Sequence, residues 1–166
     1  MISHRRCAGI ATIALVAIVL GSPAASRAVD GGVEAHDAHG ARTFAIRVVR
    51  LLGSNRYAEA WAGLHPLHQE VAPLARYVEC ENLTPIPGRV TSVRALGTWS
   101  APAHVAGLVD PVPGMKVKLR IVISEESIPA RTVVVKTVAV VRVPQRWAWL
   151  LPPVRYAAYA AGECPG

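Results

Sequence analysis

The side chains best suited to chemistry in this chain are its histidines, tyrosines and carboxylates, and their spacing limits what they can do. His65 and His68 are three apart and can share one helix face, as zinc ligands sometimes do. No third ligand is placed in the sequence to join them. His36 and His39 flank Asp37 in the polar stretch VDGGVEAHDAHG, residues 29–40, which reads as a flexible lead-in and a poor metal site. Neither pair predicts a bound metal, and no motif predicts a cofactor. A general base needs a carboxylate or imidazole poised by burial or by a neighbour. The eight acids from Glu59 onward are Glu59, Glu70, Glu79, Glu81, Asp110, Glu125, Glu126 and Glu163, and all fall on predicted helices, turns or the tail. No catalytic residue is predicted. The candidates for lining a ligand site are the aromatic side chains Tyr57, Trp61, Tyr77, Trp147 and Trp149, with His65. Buried aromatic rings more often serve as plain core packing.

Two kinds of element must position these residues. Ala41–Leu52 carries Phe44, Val48, Leu51 and Leu52 on one stripe, an amphipathic helix. Gly53-Ser54-Asn55 stops it, and Tyr57, Ala60, Trp61 and Leu64 restart helical spacing. Leu67, Val71, Leu74 and Val78 repeat that spacing after His65 and Pro66, where proline suits a first helical turn. Pro73 inside this run predicts a kink or split near Ala72. His65 reads as the residue before the helix and His68 as surface. From Arg89 the period becomes two. Arg89–Trp99 reads as a strand with one wet face, with a short continuation over Ala103–Val109 and a turn at Asp110–Gly114. Met115–Ile123 alternates with Lys116, Lys118 and Arg120 on its outer face. Thr132–Val143 is apolar almost throughout and predicts a central strand covered on most of both faces. In the closing strand Trp147, Trp149 and Leu151 share one face and Ala148 and Leu150 the other, with Pro152-Pro153 ending it. A tail then runs to Cys164.

The N-terminus carries a compartment signal. Arg5 and Arg6 precede an apolar run, Ala8–Leu20, and Ser26-Arg27-Ala28 offers small residues at a cleavage site, so residues 1–28 read as a signal peptide. The apolar run is shorter than the ~20 residues a spanning helix needs, so no membrane span is expected after cleavage. Cys7 precedes the run and is no lipoprotein cysteine. The remaining pair, Cys80 and Cys164, reads as one disulfide of an exported protein, extracellular or bound to the cell envelope. Removing Arg5, Arg6 and Arg27 leaves 15 basic residues against 11 acids, a net charge of +4 in place of +7. With no Lys/Arg cluster, nucleic acid is not an expected partner. Asn82-Leu83-Thr84 is a formal glycosylation sequon, of consequence only in a eukaryotic secretory pathway.

Helices first and antiparallel strands after them predict an α+β domain over residues 41–166, its N-terminal helices packed on a curved antiparallel sheet of three or four strands. The run YAEAWAGLHPLHQ, a cysteine at the helical end, and a closing W-x-W-L strand followed by G-x-C-P resemble exported NTF2-like (cystatin-like cone) domains of actinobacterial type. The resemblance covers about Ala41 to Pro165. It implies a sheet wrapped around the helices with a pocket at its open end, and a superfamily of both enzymes and non-catalytic binding domains. The enzymes place an Asp or Tyr, or an Asp-Arg-Asp set, inside the cone, and the strands of this sequence offer no interior carboxylate. The first functional expectation is thus a non-enzymatic exported domain holding a small apolar ligand or a cell-envelope protein. The second is an isomerase or hydrolase using Tyr57 or Tyr77 with His65 or His104, and the third a structural domain forming a homodimer.

Overall fold

The computed structural model describes residues 27–124 and 131–166, with side chains from residue 37 onward. The expected signal peptide lies almost wholly outside the described residues. The chain runs through helix α1 (Arg27–Gly53), three short helices α2 (Tyr57–Ala62), α3 (Pro66–Val71) and α4 (Leu74–Leu83), then strands β1 (Arg89–Ala103), β2 (Val112–Ser124), β3 (Arg131–Val143) and β4 (Arg146–Trp149), and finally helix α5 (Pro153–Ala160). The described strands form one antiparallel sheet in the order β1-β2-β3-β4. This is the expected α+β architecture, helices before sheet.

Helix α1 begins at Arg27, so residues 29–40, expected as a flexible lead-in, are helical. One tie is visible there: Asp37 accepts from Arg142 at 2.9 Å, and the Arg142 guanidinium lies over the Trp147 ring at 4.3 Å. Downstream, Val48 and Leu51 of the expected stripe are buried, while its Phe44 and Leu52 are half-buried and Ala41, Ala45 and Val49 complete the buried side of the helix.

Pro66 occupies the first turn of α3, and Pro73 divides α3 from α4, since a proline there removes an N–H and clashes with the preceding turn. The division resets the helical phase. Leu74, expected on the apolar stripe, is 41% exposed, whereas His68, Ala72, Tyr77, Cys80 and Glu81 turn inward. His68, expected at the surface, is buried at 2% exposure.

Strand β1 continues unbroken to Ala103, and residues 104–111 form a loop in place of the short continuation expected there. Alternation along β2 puts Val117, Leu119, Ile121 and Ile123 on the helices and Lys116 and Lys118 outward. Strand β3 corrects the expectation of a strand covered on both faces. Val138, Val140 and Val141 in its second half are buried, but Val133, Val134 and Val135 are 47%, 37% and 52% exposed. Val133 and Val135 lie on the sheet face away from the helices, and the short β4, which pairs only with Val140–Val143, leaves the earlier part of that β3 edge without a strand. The far edge of β4 is covered instead: His65 N–H donates to Trp149 O and Trp149 N–H to Gly63 O, both at 3.0 Å.

Alternation in β4 divides two apolar clusters. Trp147, Trp149 and Leu151 join the main core beneath the helices, and Ala148 and Leu150 join a smaller one with Ala103, Val105 and Val141 on the other face. The tail forms α5, started by Pro152-Pro153, and Cys164 is bonded to Cys80 with 5.1 Å between their Cα atoms.

Candidate ligand cavity

A cavity of about 660 Å³ opens at the β3 edge beyond β4 and takes wall residues from both faces of the sheet. Val48, Val49 and Leu52 of α1 form one wall, with Ile86 from the α4–β1 connection. Ile121 and Val138 of the sheet, then Trp149, Leu150 and Leu151, form the next. Pro152, Pro153, Arg155 and Tyr156 close it at α5, and Pro102 and Ala103 at the end of β1 with His104–Ala106 and Leu108 of the β1–β2 loop. It reaches the part of β3 that β4 leaves unpaired, where Lys136, Thr137, Val138 and Ala139 line it. A volume of this size is typical of small-molecule sites, which are mostly apolar with few polar groups.

The polar groups in the wall are of one kind. Lys116, Lys136 and Arg155 bring cationic donors, and His68, His104 and Thr137 complete the set; among the described residues no carboxylate side chain lines the cavity. The geometry fixes the state of His68. Leu151 N–H donates to its Nδ1 at 3.0 Å, so Nδ1 is an acceptor and the neutral ring carries its proton on Nε2. Nε2 is buried and has no hydrogen-bond partner within the protein. Burial, then the neighbouring His65, lower the His68 pKa to about 4. Protonation at Nδ1 would also set two donors against each other. The His65 ring stands edge-on at 5.9 Å and Tyr156 packs on the other side at 4.9 Å. His65 is likewise lowered by burial and by Arg146.

Beside the cavity is a buried polar cluster. Glu81, only 4% exposed, accepts from Arg155 and from the Tyr159 hydroxyl, the latter at 3.1 Å. Sequence reading placed Glu81 on a helix without interior character, and the Pro73 phase change is what turns it inward. The hydroxyls of Tyr77 and Tyr159 are pushed well above the ordinary tyrosine range by burial first and by Glu81 second. Tyr77 O–H is buried without a partner. One face of the cluster, Arg155, belongs to the cavity wall.

Of the six residues expected to line a ligand site, the structure places Trp149 in the cavity wall. Tyr57 and Tyr77 pack inside the helical layer, with Tyr57 O–H donating to Asn55 Oδ1 at 2.8 Å. Trp61 donates to Ala72 O at 2.7 Å and holds α2 against the α3–α4 junction. His65 joins the edge of β4, and Trp147 lies under Arg142 at the other end of the sheet, beside a separate cleft of about 330 Å³. His104 is at the cavity, but Tyr57, Tyr77 and His65 are not among its wall residues, so the tyrosine–histidine pairings considered from sequence are not brought together there. The aliphatic and cationic wall residues were missed. Their signal was present in β2 and β3, whose lysines interrupt apolar runs.

Trp149 itself is fixed by Nε1–H donating to Ala60 O at 2.8 Å. Among the described residues, no group of three or more His, Cys, Asp or Glu is placed to hold a metal ion, and no helix is long and apolar enough to cross a membrane. Comparison of the chain with family models, with curated proteins and with solved structures gave no match.

Proposed function

We propose that this chain is a non-enzymatic exported binding domain for a small apolar ligand that carries an acceptor-bearing, preferably anionic, end. The observation that carries the reading is the cavity of about 660 Å³, walled by aliphatic side chains and bearing Lys116, Lys136 and Arg155 with no carboxylate among its described wall residues. An apolar ligand body replaces water along the aliphatic walls, a gain of about 25 cal/mol for each Å² of apolar surface covered. A ligand with only donors would meet donors. A carboxylate or similar group would meet charge-assisted partners, which are the stronger hydrogen bonds. Export is part of the proposal, supported by the N-terminal pattern and by the Cys80–Cys164 bond, which fits an oxidising compartment. An NTF2-like origin, as the sequence resemblance implies, would accommodate the same helices, sheet and pocket.

The test is a fluorescence titration with 1-anilinonaphthalene-8-sulfonate, an apolar ring system with an anionic end, followed by competition with decanoate. The expected result is saturable binding that decanoate displaces. Ile86→Trp, which puts an indole into the cavity from a connecting segment, weakens it while far-UV circular dichroism stays unchanged. Lys136→Ser weakens decanoate and leaves decan-1-ol unaffected. Equal dye binding by folded wild type and Ile86→Trp would refute the reading.

A further inference from the structure

The outward face of the sheet is positively charged in a way its own stability does not favour. Val93, Val117, Leu119 and Ile121 face the helices, so Arg94, Lys116, Lys118 and Arg120 point away from them. Arg94 stands directly opposite Arg120 in the β1–β2 register. Like charges facing across strands are destabilising. None of these four cations takes part in an ion pair among the described residues, and strands β1 to β4 contain no Asp or Glu.

Apolar groups are interleaved with the charges. Trp99 is opposite Lys116 and 43% exposed, and its ring passes close to Gly97, where a Cβ would lie 3.9 Å from Cζ3. Val135, opposite Arg120, and Val133 are about half exposed on the same face. A face made only to stay in water needs no exposed indole and valines among its cations. A soluble polyanion would neutralise the charges but leave those groups wet. Anionic lipid satisfies both, because its headgroups meet Lys and Arg while Trp and aliphatic groups enter the interface.

We propose that this outward face docks on an anionic lipid surface, without spanning it. Lys116 and Thr137 also line the cavity, so its rim adjoins the docked face and a ligand could pass between bilayer and cavity. The docking itself does not depend on the ligand reading.

The test is sedimentation of the full chain with vesicles of phosphatidylcholine alone and with phosphatidylcholine containing one-third phosphatidylglycerol. Residues 1–28 are present in wild type and variants alike, so differences between them report the face. Wild type is expected to sediment with the anionic vesicles and to be released by salt. Each of Arg94→Ser, Lys118→Ser and Arg120→Ser is expected to weaken partitioning about fivefold. Trp99→Ser weakens it further without changing the salt dependence. Thermal melts verify that each variant is folded, and Arg94→Ser removes a like-charge contact and should not lower the melt. The proposal is overturned if the folded charge variants sediment as wild type does, or if neutral and anionic vesicles are bound equally. It is also overturned if Trp99→Ser has no effect and heparin competes completely, which would assign the face to a soluble polyanion. Loss of docking with dye binding intact would leave the cavity reading standing, and the reverse result would remove only that reading.

Discussion

His68 is the side chain whose chemistry the surroundings constrain most tightly. It is buried, it accepts from Leu151 N–H, and its folded-state pKa is about 4 against an ordinary value of 6.5. A depressed histidine favours the native state while it is neutral in both states. Stability is therefore full above about pH 6.5 and falls as pH drops towards 4, because only the unfolded chain gains the proton in that window; the loss is about 3 kcal/mol. His65, lowered as well, adds in the same direction. Denaturant melts between pH 4 and 7 should show this slope, and His68→Asn, which keeps an acceptor for Leu151, should flatten it. An unchanged slope in the folded variant would contradict the assignment. Glu81 gives a second expectation at this scale. Glu81→Ala leaves Arg155 partly buried without its carboxylate and removes the acceptor of Tyr159, so it should cost about 3 kcal/mol in urea melts. Neither residue's burial was legible in the sequence. A period-3.6 stripe read through Pro73 assigns Leu74 to the core, and only the actual break shows that Tyr77, Cys80 and Glu81 turn inward.

At the scale of elements, pattern and chemistry agreed where a segment has one covered face. Alternation in β2, the paired tryptophans of β4 and the split at Pro73 were all legible because each depends on neighbours in sequence. The exposure of the first half of β3 was not, because it depends on β4 being four residues long. Helix α5 was hidden in a short alanine-rich tail whose order comes from tertiary ties. Those ties are the Cys80–Cys164 bond, Arg155 and Tyr159 on Glu81, and Arg76 donating to Gly162 O at 2.9 Å. The disulfide closes a loop with a sequence separation of 84. Loop-closure entropy assigns it up to about 4–5 kcal/mol. Cys80→Ser with Cys164→Ser should lower the melting temperature, and amide exchange should show α5 losing protection before α1 and β2. Uniform loss across the chain would contradict a local role for the bond.

Across the whole molecule the acids are segregated: strands β1 to β4 hold none, while the described helices hold Asp30, Glu34, Asp37, Glu59, Glu70, Glu79 and Glu81. That separation was readable as a list of residues but not as a surface, since it needs the register that sets Arg94 against Arg120. The cavity shows the same limit. Its existence could be expected from helices laid on a curved sheet, yet its walls belong to aliphatic residues and lysines rather than to most of the aromatic candidates, whose rings hold the helical layer together. The most direct measurement is calorimetric titration of decanoate into the folded wild type and Ile86→Trp. The cavity account predicts one saturable site in the wild type and a clearly weakened one in the variant. No saturable heat in the wild type, or the same affinity in both, would contradict it.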